Sequence, residues 1–477
     1  MTNILCNTAL SGSLLAIAAC AMNPVTGRNE FSLVSESQEI AMGRQGKADV
    51  EHSIGVYTDQ GFNAYLTDLG TLIARTTERP GLPWSFQIAD QPVVNAFALP
   101  GGPVFLARGI LPYFNSEAEL ISVLGHEMGH IAARHSAQQI TRSQLAGLGL
   151  GVASIVDARL AKIAGVAEAG LGILFLKYSR DNEAQADALG FRYGVAGGWD
   201  MREGTNMFNT LSRVSGDPSQ RLPEWQSSHP APEGRAEHND ERVRAAEAAG
   251  TRFDALRVDR NGYLRRLAGL VYGEDPRQGY FEGTTFYHPA LRLRFAFPDG
   301  WKTQNGTDAV AGMSPAQDAI VVFSGTGTES PQATGRKFAA QEGLTPGQGQ
   351  ALTINGLTAW TMLFSASTEQ GVVAGRATWV ALDGTTYLIL GYSPQAKASA
   401  NDAAFLSVAR SLARLTDAAK INVVPKRVYI VQLRTAQTIV EAGRANGGTL
   451  PNEELAAVNG VRTDQVLAVG TLVKIMK

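Results

Sequence analysis

A predicted helix that carries two histidines one turn apart constrains this chain more than any other feature. Ser116, followed three residues later by Glu119, is typical of a helix N-terminus. An apolar stripe at helical spacing then runs through Leu120, Val123, Leu124 and Met128. Because four residues make about one turn, His126 and His130 project from the same face, with Glu127 one step round between them. This pattern predicts two metal ligands beside a general base, and it requires a third ligand from elsewhere.

The third ligand of a catalytic zinc can come from the same segment or from a later helix. The first arrangement needs a glycine three residues and a histidine six residues after His130, where this chain has Ala133 and Ser136. That arrangement is therefore excluded. His135 is one residue out of register, and we predict that its role is structural.

A later helix supplies the predicted third ligand at Glu183, 53 residues after His130. Glu183 and Asp187 are four residues apart and so share one helical face. We expect Glu183 to bind the metal and Asp187 to accept a hydrogen bond from the second nitrogen of a ligand histidine. The alternatives are structural: a histidine pair within a core, and an exposed acidic helix face.

Four segments, in the same order, resemble the HtpX-like and BepA-like zinc metallopeptidases, which are relatives of the CAAX prenyl protease. The segments are Asn95–Gly102, His126–His135, Glu183–Asp187 and Ser228–Arg235. The resemblance implies a mainly helical gluzincin-type fold with a small sheet and one Zn²⁺ per chain. It also implies, in many members, a role in the quality control of envelope proteins.

The resemblance assigns roles to single residues. His126, His130 and Glu183 would hold the zinc, and Glu127 would take a proton from water and deliver it to the leaving amine. Asp187 belongs to the predicted catalytic set with Glu127. His229 would cap the zinc from a loop and keep the enzyme latent, and the alternative is a surface histidine without a role.

Contacts to the substrate are predicted at two places. The segment Asn95, Ala96, Phe97 and Ala98 would form an edge strand, to which an extended substrate adds through backbone hydrogen bonds. Such binding recognises an extended backbone more than particular side chains, which suits unfolded client proteins. Arg235 and Tyr178 are the candidates for a contact to the substrate or to the oxyanion.

Composition describes a globular protein of several domains. The chain has 477 residues, of which 44% are hydrophobic, so two to four domains are expected. The formal net charge of −2 offers no basic surface, and nucleic acid is therefore excluded as a partner.

The two cysteines, Cys6 and Cys20, lie near the N-terminus, where residues 13–20 form a short apolar run that ends in small residues before a cysteine. This pattern predicts a lipoprotein-type signal peptide at residues 1–19 and lipidation of Cys20. We therefore expect secretion across the inner membrane and a lipid anchor facing the periplasm. Ala21 after the cysteine favours the outer membrane. The alternative is a cytosolic N-terminus, because residues 1–11 contain no Lys or Arg.

The predicted fold class is α+β, in three parts that follow a tether at residues 20–35. A zinc metallopeptidase domain spans 36–275, and an α+β domain with an antiparallel sheet spans 280–416 and resembles PsbP-like and Mog1-like domains. A βααβ module at 425–477 resembles the peptidoglycan-binding LysM domain. Residues 434–438 depart from the usual LysM sequence. Two roles therefore stay open for this module, glycan binding and packing or partner docking.

Three functions fit these observations. The first is a zinc endopeptidase that cleaves misfolded or misassembled envelope proteins. The second is a chaperone or assembly factor on the same zinc fold, with latent proteolysis. The third is a cell-wall amidase, which only the LysM-like module favours.

Overall fold

A computed structural model describes residues 20–145, 178–215, 229, 234–306, 308–368 and 371–477. The predicted signal peptide at 1–19 lies outside these residues. The sequence also predicts helices in two apolar segments, at 145–156 and 163–176, and nearly all of both segments lies outside the described residues. Within them, no helix has the length and apolar character needed to cross a membrane.

The helices are numbered in chain order. They are α1 Glu36–Ser53, α2 Gln60–Ala74, α3 Glu117–Ala132, α4 His135–Leu145, α5 Arg180–Ala196, α6 Glu203–Ser215, α7 Arg235–Ala248, α8 Arg260–Arg266, α9 Pro331–Ala339, α10 Gln395–Ser411, α11 Ala418–Ile421, α12 Ile439–Ala445 and α13 Asn452–Val458.

The strands are numbered in the same way. They are β1 Cys20–Met22, β2 Asn29–Phe31, β3 Ser85–Ala89, β4 Ala96–Ala98, β5 Pro103–Ala107, β6 Tyr280–Glu282, β7 Thr285–His288, β8 Leu293–Ala296, β9 Lys302–Asn305, β10 Ala309–Met313, β11 Ile320–Gly325, β12 Leu344–Pro346, β13 Gln350–Ile354, β14 Leu357–Thr368, β15 Gly371–Leu382, β16 Thr385–Pro394, β17 Ala413–Arg414, β18 Val428–Gln432, β19 Gln437–Thr438, β20 Val466–Leu467 and β21 Leu472–Met476.

The helix with the two histidines begins where its N-terminal residues predict. The Ser116 hydroxyl accepts a hydrogen bond from the backbone N–H of Glu119 at 3.2 Å, which satisfies one free donor of the first turn of α3. The Glu119 carboxylate accepts a hydrogen bond from the backbone N–H of Asn115 at 2.7 Å. In a capping box it would accept from the backbone N–H of Ser116, one residue later. Every residue of α3 is buried, so the helix forms the centre of its domain.

A three-stranded sheet lies beside α3, in the order β3–β5–β4. β3 runs parallel to β5, and β4 runs antiparallel to it. The predicted turn between β4 and β5 contains Gly101 at φ 76° and Gly102 at φ 137°, in the region that favours glycine. A Cβ on Gly101 would meet the backbone nitrogen of Ile40 at 2.6 Å, so glycine is also needed for close contact with α1.

Helices α3 and α5 cross so closely that glycines line the contact. A Cβ on Gly190 of α5 would stand 2.7 Å from the backbone nitrogen of His126. A Cβ on Gly125 would stand 3.0 Å from the Cα of Gly190, and one on Gly129 would stand 3.0 Å from the Ala186 carbonyl oxygen. Because no side chain separates the two backbones, Glu183 and Asp187 on α5 reach the histidines of α3.

Residues 280–416 contain two antiparallel sheets and two helices that pack on the larger one. The larger sheet has the order β12–β14–β15–β16–β11–β10–β9, with β13 paired to β14, and the smaller has the order β17–β8–β7–β6. Phe405 of α10 belongs to the apolar cluster on one face, and Phe338 of α9 belongs to the cluster on the other. The sequence predicts a helix over 402–415, whereas the observed helix α10 begins earlier, at Gln395, and ends at Ser411.

The C-terminal residues run β18, β19, α12, α13, β20 and β21, with β18 antiparallel to β21 and β19 antiparallel to β20. Their apolar residues share one hydrophobic cluster with the domain that contains α3. The Lys474 side chain is fully buried, and its Nζ donates to the carbonyl oxygens of Pro112 at 2.7 Å and Phe114 at 2.8 Å. The predicted module is therefore packed into the first domain. Its resemblance to LysM stays a prediction.

Residues 20–35, predicted as an extended tether, contain a short hairpin of β1 and β2. The Asn23 side chain donates to the Ala133 carbonyl oxygen at 3.2 Å, and Gln138 donates to Glu30 at 2.8 Å. These contacts attach the hairpin to the end of α3 and the start of α4. The segment is rich in turn-forming residues, and this composition does not indicate the hydrogen-bond partners of its polar side chains.

Candidate metal centre

Four buried side chains from three parts of the chain converge on one point. His126, His130, Glu183 and His229 each offer one ligand atom, and these atoms all lie within 4.8 Å of one another. Each of the four side chains belongs to a residue that is at most 2% exposed. The first three are the predicted ligands, and the fourth is the predicted cap.

The spacing of these atoms fits a four-coordinate metal ion. His126 Nε2 lies 3.1 Å from His130 Nε2, 3.4 Å from Glu183 Oε2 and 3.3 Å from His229 Nδ1. Glu183 Oε1 lies 3.5 Å from His130 Nε2 and 3.1 Å from His229 Nδ1. Ligands about 2.0–2.1 Å from a tetrahedral ion stand about 3.3–3.4 Å apart, and the three distances from His126 Nε2 are close to the edges of such a tetrahedron.

The chemistry of the donor atoms supports the same conclusion. The Nδ1 atoms of His126 and His130 both have other partners, which leaves both Nε2 atoms facing the centre. Two imidazole lone pairs at this separation repel unless a cation or a proton lies between them. Glu183 Oε2 is buried without a hydrogen-bond partner in the described part of the chain, as expected for an atom that binds a metal.

An ionic pair holds His126. Its Nδ1 lies 2.8 Å from Asp187 Oδ1, and Arg235 Nε donates to Asp187 Oδ2 at 2.9 Å while Nη2 donates to Oδ1. Burial raises the pKa of Asp187, but Arg235 and His126 outweigh it and hold that pKa below its usual range. Burial lowers the pKa of His126, but Asp187 and Glu183 outweigh it and raise that pKa to about 9. Without a metal, therefore, His126 retains a proton.

A series of hydrogen bonds between uncharged side chains holds His130. Its Nδ1 lies 2.9 Å from His135 Nδ1, and His135 Nε2 lies 2.9 Å from Gln185 Oε1. The Tyr178 ring stacks on His130 with 4.0 Å between ring centroids. Burial lowers the pKa of His135 to about 4, and burial together with the charge of His126 holds the pKa of His130 well below 6.5. Both rings are therefore neutral near pH 7.

Glu127 lies beside the four ligand atoms, with His229 as its neighbour. Both of its carboxylate oxygens are buried, and neither has a hydrogen-bond partner among the residues that the structure describes. Oε1 lies 3.6 Å from His229 Nε2. Burial raises the pKa of Glu127 above its usual range, more than the nearby histidines lower it. A buried carboxylate without a partner is suited to accept a proton from water.

The structure places the remaining predicted residues as follows. Arg235 holds Asp187, and its guanidinium carbon lies 4.4 Å from the centroid of the Phe208 ring. The Tyr178 hydroxyl lies 2.9 Å from the Ser136 hydroxyl. A contact of Arg235 or Tyr178 with an oxyanion therefore stays a prediction. Cys20 is the first residue of β1.

The predicted substrate strand is an edge of its sheet. β4 pairs with β5 on one side and with no other strand of the described chain. The Ala107 N–H donates to the Asn95 carbonyl oxygen and the Leu99 N–H to that of Pro103, so the residues between, at 96 and 98, direct peptide groups outward. Asn95 is 7% exposed, Phe97 5%, and both alanines are also buried, so the strand is covered in this conformation.

Two contributors lie inside the motif segments, but their hydrogen-bond partners cannot be inferred from the motifs. Gln185 lies between Glu183 and Asp187, and only the fold brings its amide to His135. Arg134 has φ 58°, which turns the chain sharply between α3 and α4, and its guanidinium donates to buried Glu39 at 2.8 Å. A basic residue after a helix could have indicated a C-terminal cap, but its partner is 95 residues away in sequence.

Comparison with known proteins finds this centre inside a segment that is similar to a peptidase family. The sequence model described as "Peptidase family M48" matches residues 62–243. The mitochondrial metalloendopeptidase OMA1 of Arabidopsis thaliana is 32% identical over 158 residues, which are 33% of this chain and 31% of that protein. The β-barrel assembly-enhancing protease of Yersinia pestis is 30% identical over 233 residues, 46% of this chain and 47% of that protein. The chain thus matches less than half the length of these relatives.

Among solved structures, cyanobacterial PsbP from Synechocystis aligns with 28% of this chain, at 13% sequence identity and a TM-score of 0.24. The alignment covers 94% of that protein. This TM-score is too low to establish a shared fold. The resemblance of residues 280–416 to PsbP-like domains therefore stays a prediction.

Proposed function

We propose that the protein is a zinc-dependent endopeptidase of the bacterial cell envelope that cleaves misfolded or misassembled proteins. The match of residues 62–243 to the sequence model of peptidase family M48 supports this proposal. The observation that carries the proposal is the joint burial of three ligand side chains and the unpartnered carboxylate of Glu127. Two nitrogens and a carboxylate oxygen are a usual donor set for catalytic zinc.

His126, His130 and Glu183 would hold the zinc. Zinc so bound polarises a scissile carbonyl and lowers the pKa of water at that position. Glu127 accepts the proton of the attacking water and later donates it to the leaving amine. Asp187 keeps the His126 proton on Nδ1, so that Nε2 remains a lone-pair donor.

The substrate would add to β4 as a further antiparallel strand. The outward peptide groups at Ala96 and Ala98 would pair with an extended chain. This mode needs little from the side chains of the client, which suits a protease that acts on unfolded segments.

The second candidate function, an assembly factor with latent proteolysis, is favoured by the position of His229. Its Nδ1 stands where a catalytic zinc keeps an open position, and its Nε2 faces Glu127. The same imidazole would exclude both water and substrate. Activity would then depend on the withdrawal of His229.

Location and partners rest on the sequence. The apolar run before Cys20 supports a lipid anchor facing the periplasm, in the outer membrane. The name of the Yersinia pestis relative, a β-barrel assembly-enhancing protease, supports clients that are assembling proteins. Residues 425–477 would contact peptidoglycan or a partner protein, and exposed Val466 and Val469 are available on their surface.

The replacement Glu127→Gln tests the proposal, because it keeps the shape of the side chain and removes the base. We expect wild-type protein to contain one zinc per chain and to cleave casein, a loosely folded substrate. The variant should keep the zinc and lose roughly 100-fold or more of the cleavage rate. Exposed Glu247→Gln is the matched control.

Each outcome of this experiment separates two functions. Unchanged cleavage by the Glu127→Gln variant contradicts the peptidase. If wild-type protein is inactive but the replacement His229→Ala activates it, the peptidase is latent. Zinc content without cleavage in either protein favours the assembly factor.

A further inference from the structure

We propose that His135 and Gln185 form a hydrogen-bonded relay that positions His130 for metal binding. The inference deepens the proposed function, because it assigns positioning residues to the same metal site. It rests on two contacts of 2.9 Å, from His130 Nδ1 to His135 Nδ1 and from His135 Nε2 to Gln185 Oε1.

The proton positions in this relay follow from one acceptor. The Gln185 Oε1 atom can only accept, so His135 carries its proton on Nε2 and donates it there. His135 Nδ1 then has a lone pair and accepts the proton on His130 Nδ1. With Nδ1 protonated, His130 Nε2 has the lone pair that a metal needs. The relay thus selects one of two tautomers of His130.

Burial makes this selection strong. His130 is fully buried and His135 is 1% exposed, so water cannot replace a lost partner. The Tyr178 ring stacks on the His130 imidazole with 4.0 Å between ring centroids, and the Tyr178 hydroxyl lies 2.9 Å from that of Ser136. The acceptor for His130 Nδ1 is therefore His135.

The backbone around Arg134 places His135 over His130. Arg134 has a left-handed conformation, at φ 58°, in the two-residue turn between the end of α3 at Ala132 and the start of α4 at His135. A non-glycine residue in this conformation needs support from its surroundings. Arg134 has that support, because its side chain donates to Glu39 at 2.8 Å and to the Val34 carbonyl oxygen at 2.7 Å.

Two replacements of His135 test the relay. His135→Asn puts a carbonyl oxygen where Nδ1 lies and so retains an acceptor, whereas His135→Leu fills the space without one. We expect zinc affinity to fall by roughly 10- to 100-fold in His135→Leu and by no more than about threefold in His135→Asn. Competition with a chromophoric chelator at one fixed pH measures both. Exposed His238→Leu is the matched control.

A spectroscopic measurement reports the tautomer itself. In zinc-loaded wild-type protein, nitrogen–proton correlations of the imidazoles should show His130 protonated on Nδ1, hydrogen-bonded to a nitrogen. In His135→Asn the proton should remain on Nδ1, with an oxygen as its acceptor. If His135→Leu does not fold, Gln185→Met replaces it, with an expected loss of roughly 3- to 10-fold in affinity and rescue by Gln185→Glu.

Failure of the relay and failure of the proposed function give different results. The relay is wrong if wild-type protein binds zinc and His135→Leu, or Gln185→Met in its place, binds it within about twofold. It is also wrong if His135→Asn loses as much affinity as His135→Leu. Wild-type protein that binds no zinc overturns both proposals. Normal zinc affinity with unchanged cleavage by Glu127→Gln overturns only the peptidase.

Discussion

The two histidines of α3 stand one turn apart, yet their second nitrogens have supports of opposite kinds. His126 donates to Asp187, which also binds Arg235, so its support is an ion pair. His130 contacts His135, which contacts Gln185, so its support is neutral. Both supports leave Nε2 directed at the same point, and they differ in what they do to a proton.

This difference assigns separate tasks to the two ligands. The carboxylate of Asp187 favours a positive charge on His126, whether that charge comes from a proton or from a metal. The neutral relay adds no charge, so His130 stays neutral, with its single proton on Nδ1, beside a positively charged His126. If carboxylates supported both histidines, both rings would be positively charged. A metal ion could then bind only by displacing a proton from each ring. With one ionic and one neutral support, Asp187 attracts a cation to the site while the Nε2 lone pair of His130 remains available to bind it.

The ionic support can be broken at Asp187, and this gives the largest expected effect. In Asp187→Asn the Arg235 guanidinium remains buried without a carboxylate. We expect the free energy of unfolding to fall by about 3–5 kcal/mol, as for other buried pairs that lose one partner. Denaturant titration measures the change. Asp181→Asn, an exposed position on the same helix, should change it by no more than about 0.5 kcal/mol, and an equal loss in both variants would contradict the ionic support.

Both supports can be weakened together at the helix crossing. The replacement Gly190→Ala adds a Cβ 2.7 Å from the backbone nitrogen of His126, so α3 and α5 must separate. We expect a loss of about 1–3 kcal/mol in the free energy of unfolding, together with weaker zinc binding. Gly61→Ala in α2 is the control, because its Cβ meets only the Asp59 carboxylate at 3.4 Å. A stable Gly190→Ala protein with unchanged zinc affinity would show that the crossing does not set the site.

The proton on His126 predicts a smaller effect, which depends on pH. Its pKa is raised to about 9 from the ordinary 6.5, so its stabilisation is complete below pH 6.5 and is lost as the pH rises through 9. In metal-free protein, the free energy of unfolding should therefore contain a component that falls over this range by at most about 1.4 kcal/mol per pH unit. Denaturant titrations at several pH values measure it. The same slope in His126→Asn would contradict the assignment.

Local periodicity explains why so much of the site is predictable from sequence. His126 and His130 share a face because of the helical repeat, and the same repeat joins Glu183 to Asp187. Strand β3 agrees with its predicted bounds for a similar reason, since five residues with turn residues on both sides define a strand. In regular segments with a strong pattern, the residues of the segment itself determine its secondary structure.

Longer-range features escaped the same reasoning. Residues 35–74 have one helical period but form two helices, because the chain turns at Gly55, with φ 82°. The C-terminal residues look like a separate module, but Lys474 is buried against Pro112 and Phe114 of the first domain. Neither sequence spacing nor composition records which surface an element will cover.

The sequence by itself determined the chemistry of the centre: two imidazoles, a base beside them and a carboxylate on a later helix. Only the tertiary structure decided how those groups are held. The turn at Arg134 returns His135 to His130, although the register that excludes His135 as a ligand gave no hint of this contact. The glycine crossing of α3 and α5 brings Asp187 and Gln185 to different histidines. The physical reason is that helical spacing depends on neighbouring residues alone, whereas a hydrogen bond across the core depends on how whole elements pack.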